Sequence, residues 1–146
     1  AIALKTRERV TQAAQEFGVP RPLIVGVTVL TSQAESSGQG LTSTGDGDKI
    51  GRSVLERAVL ARAAGLDGVV ASCHEAPAIR REFGNDFVIV TPGIRPAGID
   101  AGDQKRIATP KAAVDSGSSY LVVGRPIVKA ADPGQAAAGI LKEMTR

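Results

Sequence analysis

Two stretches of the 146-residue chain carry residues whose types and spacing could do chemistry: VTPGIRPAGIDAGDQKR at 90–106 and VVGRP at 122–126. Each runs from apolar, strand-like residues into a glycine, with an arginine just beyond it. Gly93 and Gly124 let main chain approach a ligand closely, because no side chain stands in the way. Arg95 and Arg125 offer planar, permanently charged forks that match the oxygens of a phosphate. Two such strand ends side by side would form a pocket for that anion.

Other chemistry-bearing residues fit a site less well. His74 has no partners at metal-ligand spacing and reads as a surface residue at a helix N-terminus. Cys73 is adjacent to it, and neighbouring side chains rarely converge as a nucleophile and its base must. Arg80 and Arg81 read as a solvated helix face.

The elements that must position the two glycine–arginine pairs are legible as alternating strands and helices. Residues 23–32, 67–72, 87–92 and 120–125 are near-continuous apolar runs rich in Val and Ile, which predicts strands buried on both faces of a parallel sheet. Residues 50–65 predict a helix with Ile50, Val54, Leu55, Ala58 and Ala61 on its inner stripe and Gly65 as its stop. Ser72 and Glu75 have capping-box spacing for a helix reaching Phe83. Thr109 with Pro110 predicts a further helix start, closed at Gly117, and Asp132 with Pro133 predicts the last. The inner face of that last helix is expected to be Ala136, Ala137, Ile140, Leu141 and Met144, and a helix over about residues 3–17 precedes the first strand. The Gly/Ser-rich segment 33–48 predicts a flexible loop over the C-terminal face of the sheet.

The order α-βα-βα-βα-βα, with right-handed crossovers, makes every strand parallel. Loops at the strand C-termini hold the interesting residues, as in a (β/α)8 barrel. A doubly wound open sheet is the alternative, but neither GxGxxG nor GxxxxGK occurs. Four strands cannot close an eight-stranded barrel of ~250 residues. The expectation is a single domain, 1–146, forming the last four βα units of a barrel, or a half-barrel that pairs with another chain, since bare outer strands would leave main-chain groups unpaired.

Composition narrows the function. Eighteen Lys and Arg against fifteen Asp and Glu give a net charge of +3, and aromatic residues are few, which argues against nucleic acid as a partner. No apolar run approaches the ~20 residues of a membrane span, and the charged start of the chain is unlike a secretory signal. A single cysteine excludes an intrachain disulfide and suits a reducing cytoplasm.

The strings TVLTS (28–32), GLDGVVAS (65–72), VTPGIRPAG (90–98), AGDQKR (101–106) and YLVVGRPI (120–127) together resemble the C-terminal half of orotidine 5'-phosphate decarboxylases. The resemblance covers nearly the whole chain. It implies a TIM barrel with these strands as its fifth to eighth, and decarboxylation of orotidine 5'-monophosphate to UMP in pyrimidine biosynthesis. It also implies no metal and no cofactor, a small-molecule nucleotide as partner, and a homodimer. By motif, Arg95 and Gln104 should come from the loop closing over the substrate phosphate. Gly124 should supply a main-chain N–H and Arg125 its guanidinium to the same phosphate, and Thr31 a hydrogen bond to the pyrimidine. The family's Asp-x-Lys-x-x-Asp array is not matched: Asp103, Gln104 and Lys105 begin it, but Ala108 fills the last position. No catalytic residue carries over, and the segment alone is expected to be inactive. Two alternatives stand beside this reading: a non-catalytic phosphate-binding half-barrel that self-associates, and another phosphate-handling TIM-barrel lyase or isomerase.

Overall fold

A computed structural model describes residues 2–29, 46–96 and 107–145, with main chain alone for 46–48. In chain order the elements are α1 (Ile2–Glu16), β1 (Val25–Val27), α2 (Asp46–Ala63), β2 (Gly68–Val70), α3 (Ala76–Phe83), β3 (Val88–Thr91), α4 (Pro110–Asp115), β4 (Tyr120–Leu121), α5 (Arg125–Val128) and α6 (Pro133–Met144). The four strands form one parallel sheet in the order β1-β2-β3-β4. Sequential parallel strands, each followed by a helix, are the (β/α) pattern that the apolar runs predicted.

The ladders are shorter than those runs. Pairing continues past the strand ends through single bonds: Thr28 N–H to Val70 O (3.2 Å), Ala71 N–H to Val90 O (3.1 Å) and Val122 N–H to Thr91 O (2.9 Å). Only the central strands are well covered. Val69 and Ile89 are fully buried, whereas Val27 of β1 and Tyr120 of β4 are 58% and 56% exposed. The expectation of burial on both faces therefore holds for β2 and β3 and fails for the outer pair, whose far sides have no strand beside them among the described residues.

The main core lies between the sheet and helices α2 and α3. Val54, Ala58 and Ala61 of α2 pack with Ile79 of α3, Val69 and Ile89. Phe87, just before β3, is fully buried, and its ring stands 4.8 Å from that of Phe83. Burying such a side chain stabilises the fold by roughly 1.5–3 kcal/mol. Gly68 is required by close approach: a Cβ there would lie 2.0 Å from Val88 O on the neighbouring strand.

Helix ends match the capping chemistry in two places. Thr109 accepts from Ala112 N–H at 3.1 Å and Asp132 Oδ1 from Gln135 N–H at 2.9 Å, each with proline in the first turn. Gly65 and Gly117 take positive φ, +72° and +94°, as the stops they were expected to be.

Several expectations are corrected. The capping box at Ser72 does not form: α3 starts at Ala76, and the Ser72 hydroxyl accepts from His74 N–H at 3.4 Å inside a turn. Pro77 in the first turn sets the helix start instead. Leu141 is 62% exposed, while Ile140 is buried, so the inner face of α6 is narrower than its apolar pattern. Helix α2 begins at Asp46, so 46–48 belong to a helix and not to the flexible loop assigned to 33–48. The remainder of that segment lies outside the described residues. Arg80 is not on a solvated face, as its partners below make plain.

Candidate anion-binding rim

Of the residues singled out from the sequence, Arg95 follows the C-terminal end of β3 and Gly124 and Arg125 that of β4, and these two strands are hydrogen-bonded neighbours. Val90 pairs with Tyr120 and Thr91 with Leu121. The same offset of thirty residues separates Arg95 from Arg125, so each arginine lies four residues beyond the end of its strand, on neighbouring strands.

Beyond β3 the chain turns at Gly93, which is buried and has φ +78°. A left-handed φ is what glycine adopts without steric cost. Ile94 then forms an isolated parallel bridge with Ala108: Ala108 N–H donates to Gly93 O at 3.2 Å, and Arg95 N–H to Ala108 O at 2.9 Å. These two bonds pinch together the ends of the stretch from 95 to 108. Ile94 is fully buried beside Cys73 and Ala113, which anchors the pinch in a second small core.

Arg95 is 7% exposed. Its Nη1 donates to Ile94 O at 2.8 Å. No carboxylate lies within ion-pair distance of it among the described residues. A buried guanidinium is costly unless charge and hydrogen bonds compensate it, so this position favours an anion. Beyond β4, the Gly124 carbonyl accepts from Ile127 and Val128 N–H at 2.9 and 3.1 Å and so starts α5. Arg125 opens that helix and is exposed.

Thr31 and Gln104 lie outside the described residues. The strand leading toward Thr31 is tied down at its end: Thr28 Oγ1 donates to Val70 O at 2.8 Å, and Arg57 of α2 donates to Thr28 O. His74 is exposed and Cys73 buried, consistent with neither acting on the other. Among the described residues no group of three or more His, Cys, Asp or Glu side chains is placed to hold a metal ion, and no helix is long and apolar enough to cross a membrane.

The opposite end of the sheet is closed by polar clamps that the sequence reading missed. Arg21 makes a bidentate pair with Asp67 (2.6 and 2.8 Å), and Asp67 also accepts from Ile24 N–H at 2.7 Å. Hydrogen bonding to Arg21, helped by that N–H, holds the Asp67 carboxyl down at about 2, against an ordinary 3.8. Arg80 donates to Gly117 O, Gly84 O, Phe87 O and Ser119 Oγ. A signal for it was present: Arg80 shares the i, i+4 face of α3 with the buried Ala76.

Comparison with known proteins adds the following. The family described as orotidine 5'-phosphate decarboxylase / HUMPS matches residues 2–140. The orotidine 5'-phosphate decarboxylase of Vibrio atlanticus (strain LGP32) is 47% identical over 137 residues, covering 91% of this chain and 58% of the relative. That of Pseudoalteromonas translucida (strain TAC 125) is 50% identical over 133 residues, covering 91% of this chain and 56% of the relative. The crystal structure of orotidine 5'-phosphate decarboxylase from Lactobacillus acidophilus superposes with a TM-score of 0.72 at 32% identity, over 99% of this chain and 58% of that one. The chain thus spans rather more than half the length of the curated relatives it matches.

Proposed function

This chain belongs to the orotidine 5'-phosphate decarboxylase / HUMPS family, and from that premise we propose that it supplies the phosphate- and pyrimidine-binding part of an enzyme converting orotidine 5'-monophosphate to UMP. Arg95, Gln104, Arg125 and the Gly124 N–H hold the phosphate, and Thr31 contacts the pyrimidine. A phosphate dianion is matched by forked guanidinium groups and main-chain donors, which give short, charge-assisted hydrogen bonds. The observation that carries the reading is the burial of Arg95 beside the left-handed Gly93, one strand away from Gly124 and Arg125.

The phosphate lies far from the bond that breaks. Its binding energy acts by closing the site and excluding water around the reacting carbon. No residue of this chain is given a catalytic role. The Lys and Asp groups that crowd the carboxylate and protonate C6 are assigned to strands preceding it in a complete barrel. The protein works without metal or cofactor, in the cytoplasm, as a homodimer.

The test has two parts. UMP should bind far more tightly than uridine, and ribose 5-phosphate should compete poorly. Equal competition by ribose 5-phosphate would favour another phosphate-handling barrel enzyme. Orotidylate should turn over when the chain is joined to the preceding half of a relative's barrel and not with this chain alone. A joined barrel that binds UMP yet never releases CO2 overturns the enzyme reading.

A second reading is favoured by the exposed Val27 at one edge of the sheet and Tyr120 and Val122 at the other. Two copies of the half-barrel would cover both edges. Sedimentation of the chain as a monomer removes that reading.

A further inference from the structure

We propose that Arg80 is a positioning residue for the anion-binding rim: it fixes the β3–β4 register on which the placement of Arg95 against Arg125 depends. The proposal rests on the phosphate reading above.

The β3–β4 ladder is short, because β4 is only Tyr120–Leu121. Register is weakly specified by so brief a pairing, and a slip of one residue would turn every β4 side chain to the other face. Something outside the ladder must choose the register, and Arg80 with Ser119 does so at its base. Arg80 Nε and Nη2 both donate to Gly117 O, at 3.1 and 2.6 Å, ahead of β4. Nη1 donates to Phe87 O (2.8 Å), ahead of β3, and to Gly84 O (2.7 Å), at the end of α3. Nη2 also donates to Ser119 Oγ at 3.0 Å, and that oxygen accepts Ile89 N–H at 3.1 Å. Ser119 N–H donates back to Ile89 O at 2.8 Å.

One planar fork therefore grips the entry to both strands, and a hydroxyl bonded to it reads one residue of β3. Gly117 is shaped for the clamp: φ is +94°, and a Cβ there would stand 3.3 Å from Arg80 Cγ and Nε. A lysine has the charge but a single nitrogen, and it cannot span these acceptors. The groups bonded at the base are residues 117 and 119 on one side and 87 and 89 on the other. The same thirty-residue offset that joins 119 to 89 relates 125 to 95 at the rim.

The test compares UMP and uridine binding by calorimetry in the chain joined to the preceding half of a relative's barrel. Arg80→Lys should weaken UMP about tenfold and leave uridine within about twofold, because only the phosphate contacts depend on both strand ends. Ser119→Ala should shift UMP in the same direction by about threefold. A purely structural role lowers the melting temperature and leaves the UMP-to-uridine ratio unchanged, which would overturn the proposal. Should Arg80→Lys fail to fold, Ser119→Ala decides: equal loss of both ligands, or no loss, refutes the assignment. Failure of the parent protein to prefer UMP over uridine is a different result, and it removes the phosphate reading together with this one.

Discussion

Arg80 and Arg95 stand at opposite ends of the same pair of strands and illustrate what each end of the sheet is for. At the N-terminal end, the Arg80 fork is met by the carbonyls of Gly84, Phe87 and Gly117 and by the Ser119 hydroxyl. At the C-terminal end, Arg95 is more deeply buried, yet its bond among the described residues is to the carbonyl of the residue before it. The first arginine is consumed by the fold, whereas the described residues offer the second a single acceptor. A residue type thus says little by itself. What separates structure from binding is whether the protein's own acceptors use up the donors. This division matches the general habit of (β/α) barrels, with stability at one face and ligands at the other.

The comparison can be broken most violently at the stability end. Gly68→Ala would drive a methyl group into the β2–β3 contact, where 2.0 Å separates the added Cβ from Val88 O. The expected loss is about 3 kcal/mol or more, read from urea unfolding; a variant as stable as the parent would mean that the sheet entry is looser than described. At the binding end, Arg125→Lys keeps charge and gives up the fork. It should reduce UMP affinity about tenfold with uridine binding unchanged, a ligand-selective loss where Gly68→Ala costs stability.

The Arg21–Asp67 clamp sharpens the contrast through pH. Asp67 has its folded value lowered from 3.8 to about 2, so its contribution is complete above its unfolded value and disappears as pH falls toward about 2. The stability gap between the parent and Asp67→Asn should be full from about pH 5 upward and should close through that acid window; a gap independent of pH would remove the ion pair from the account. Smallest is the loss of a helix cap. Asp132→Ala should cost about 1 kcal/mol in a thermal melt and leave ligand binding untouched.

Much of the fold was legible. Apolar runs marked the four strands, and proline and glycine marked helix ends, because those signals are local; the short helix α5 was missed, since its first residue, Arg125, closed the run read as strand 120–125. The misses came where tertiary contacts decide. Ser72 and Glu75 have capping spacing, but Pro77 sets the first turn of α3. Leu141 sits on an apolar pattern yet is exposed beside the buried Ile140, because which apolar residues of a helix are covered depends on what packs against it. Arg80 looked solvated because its partners at Gly117 and Ser119 are far away in the chain. At the candidate site the glycine–arginine pairs could be seen, since each is a local string. The bridge from Ile94 to Ala108 could not, because main-chain pairing between residues distant in the chain leaves no side-chain pattern.

A double-mutant cycle on Arg95 and Arg125 tests most directly that the two strand ends serve one anion. Arg95→Ala and Arg125→Ala should each reduce UMP affinity by about 10- to 100-fold. The double variant should lose far less than the product of the two, because a phosphate that has left one fork no longer sits in the other. Losses that multiply cleanly, or a single variant that binds UMP like the parent, would contradict the account.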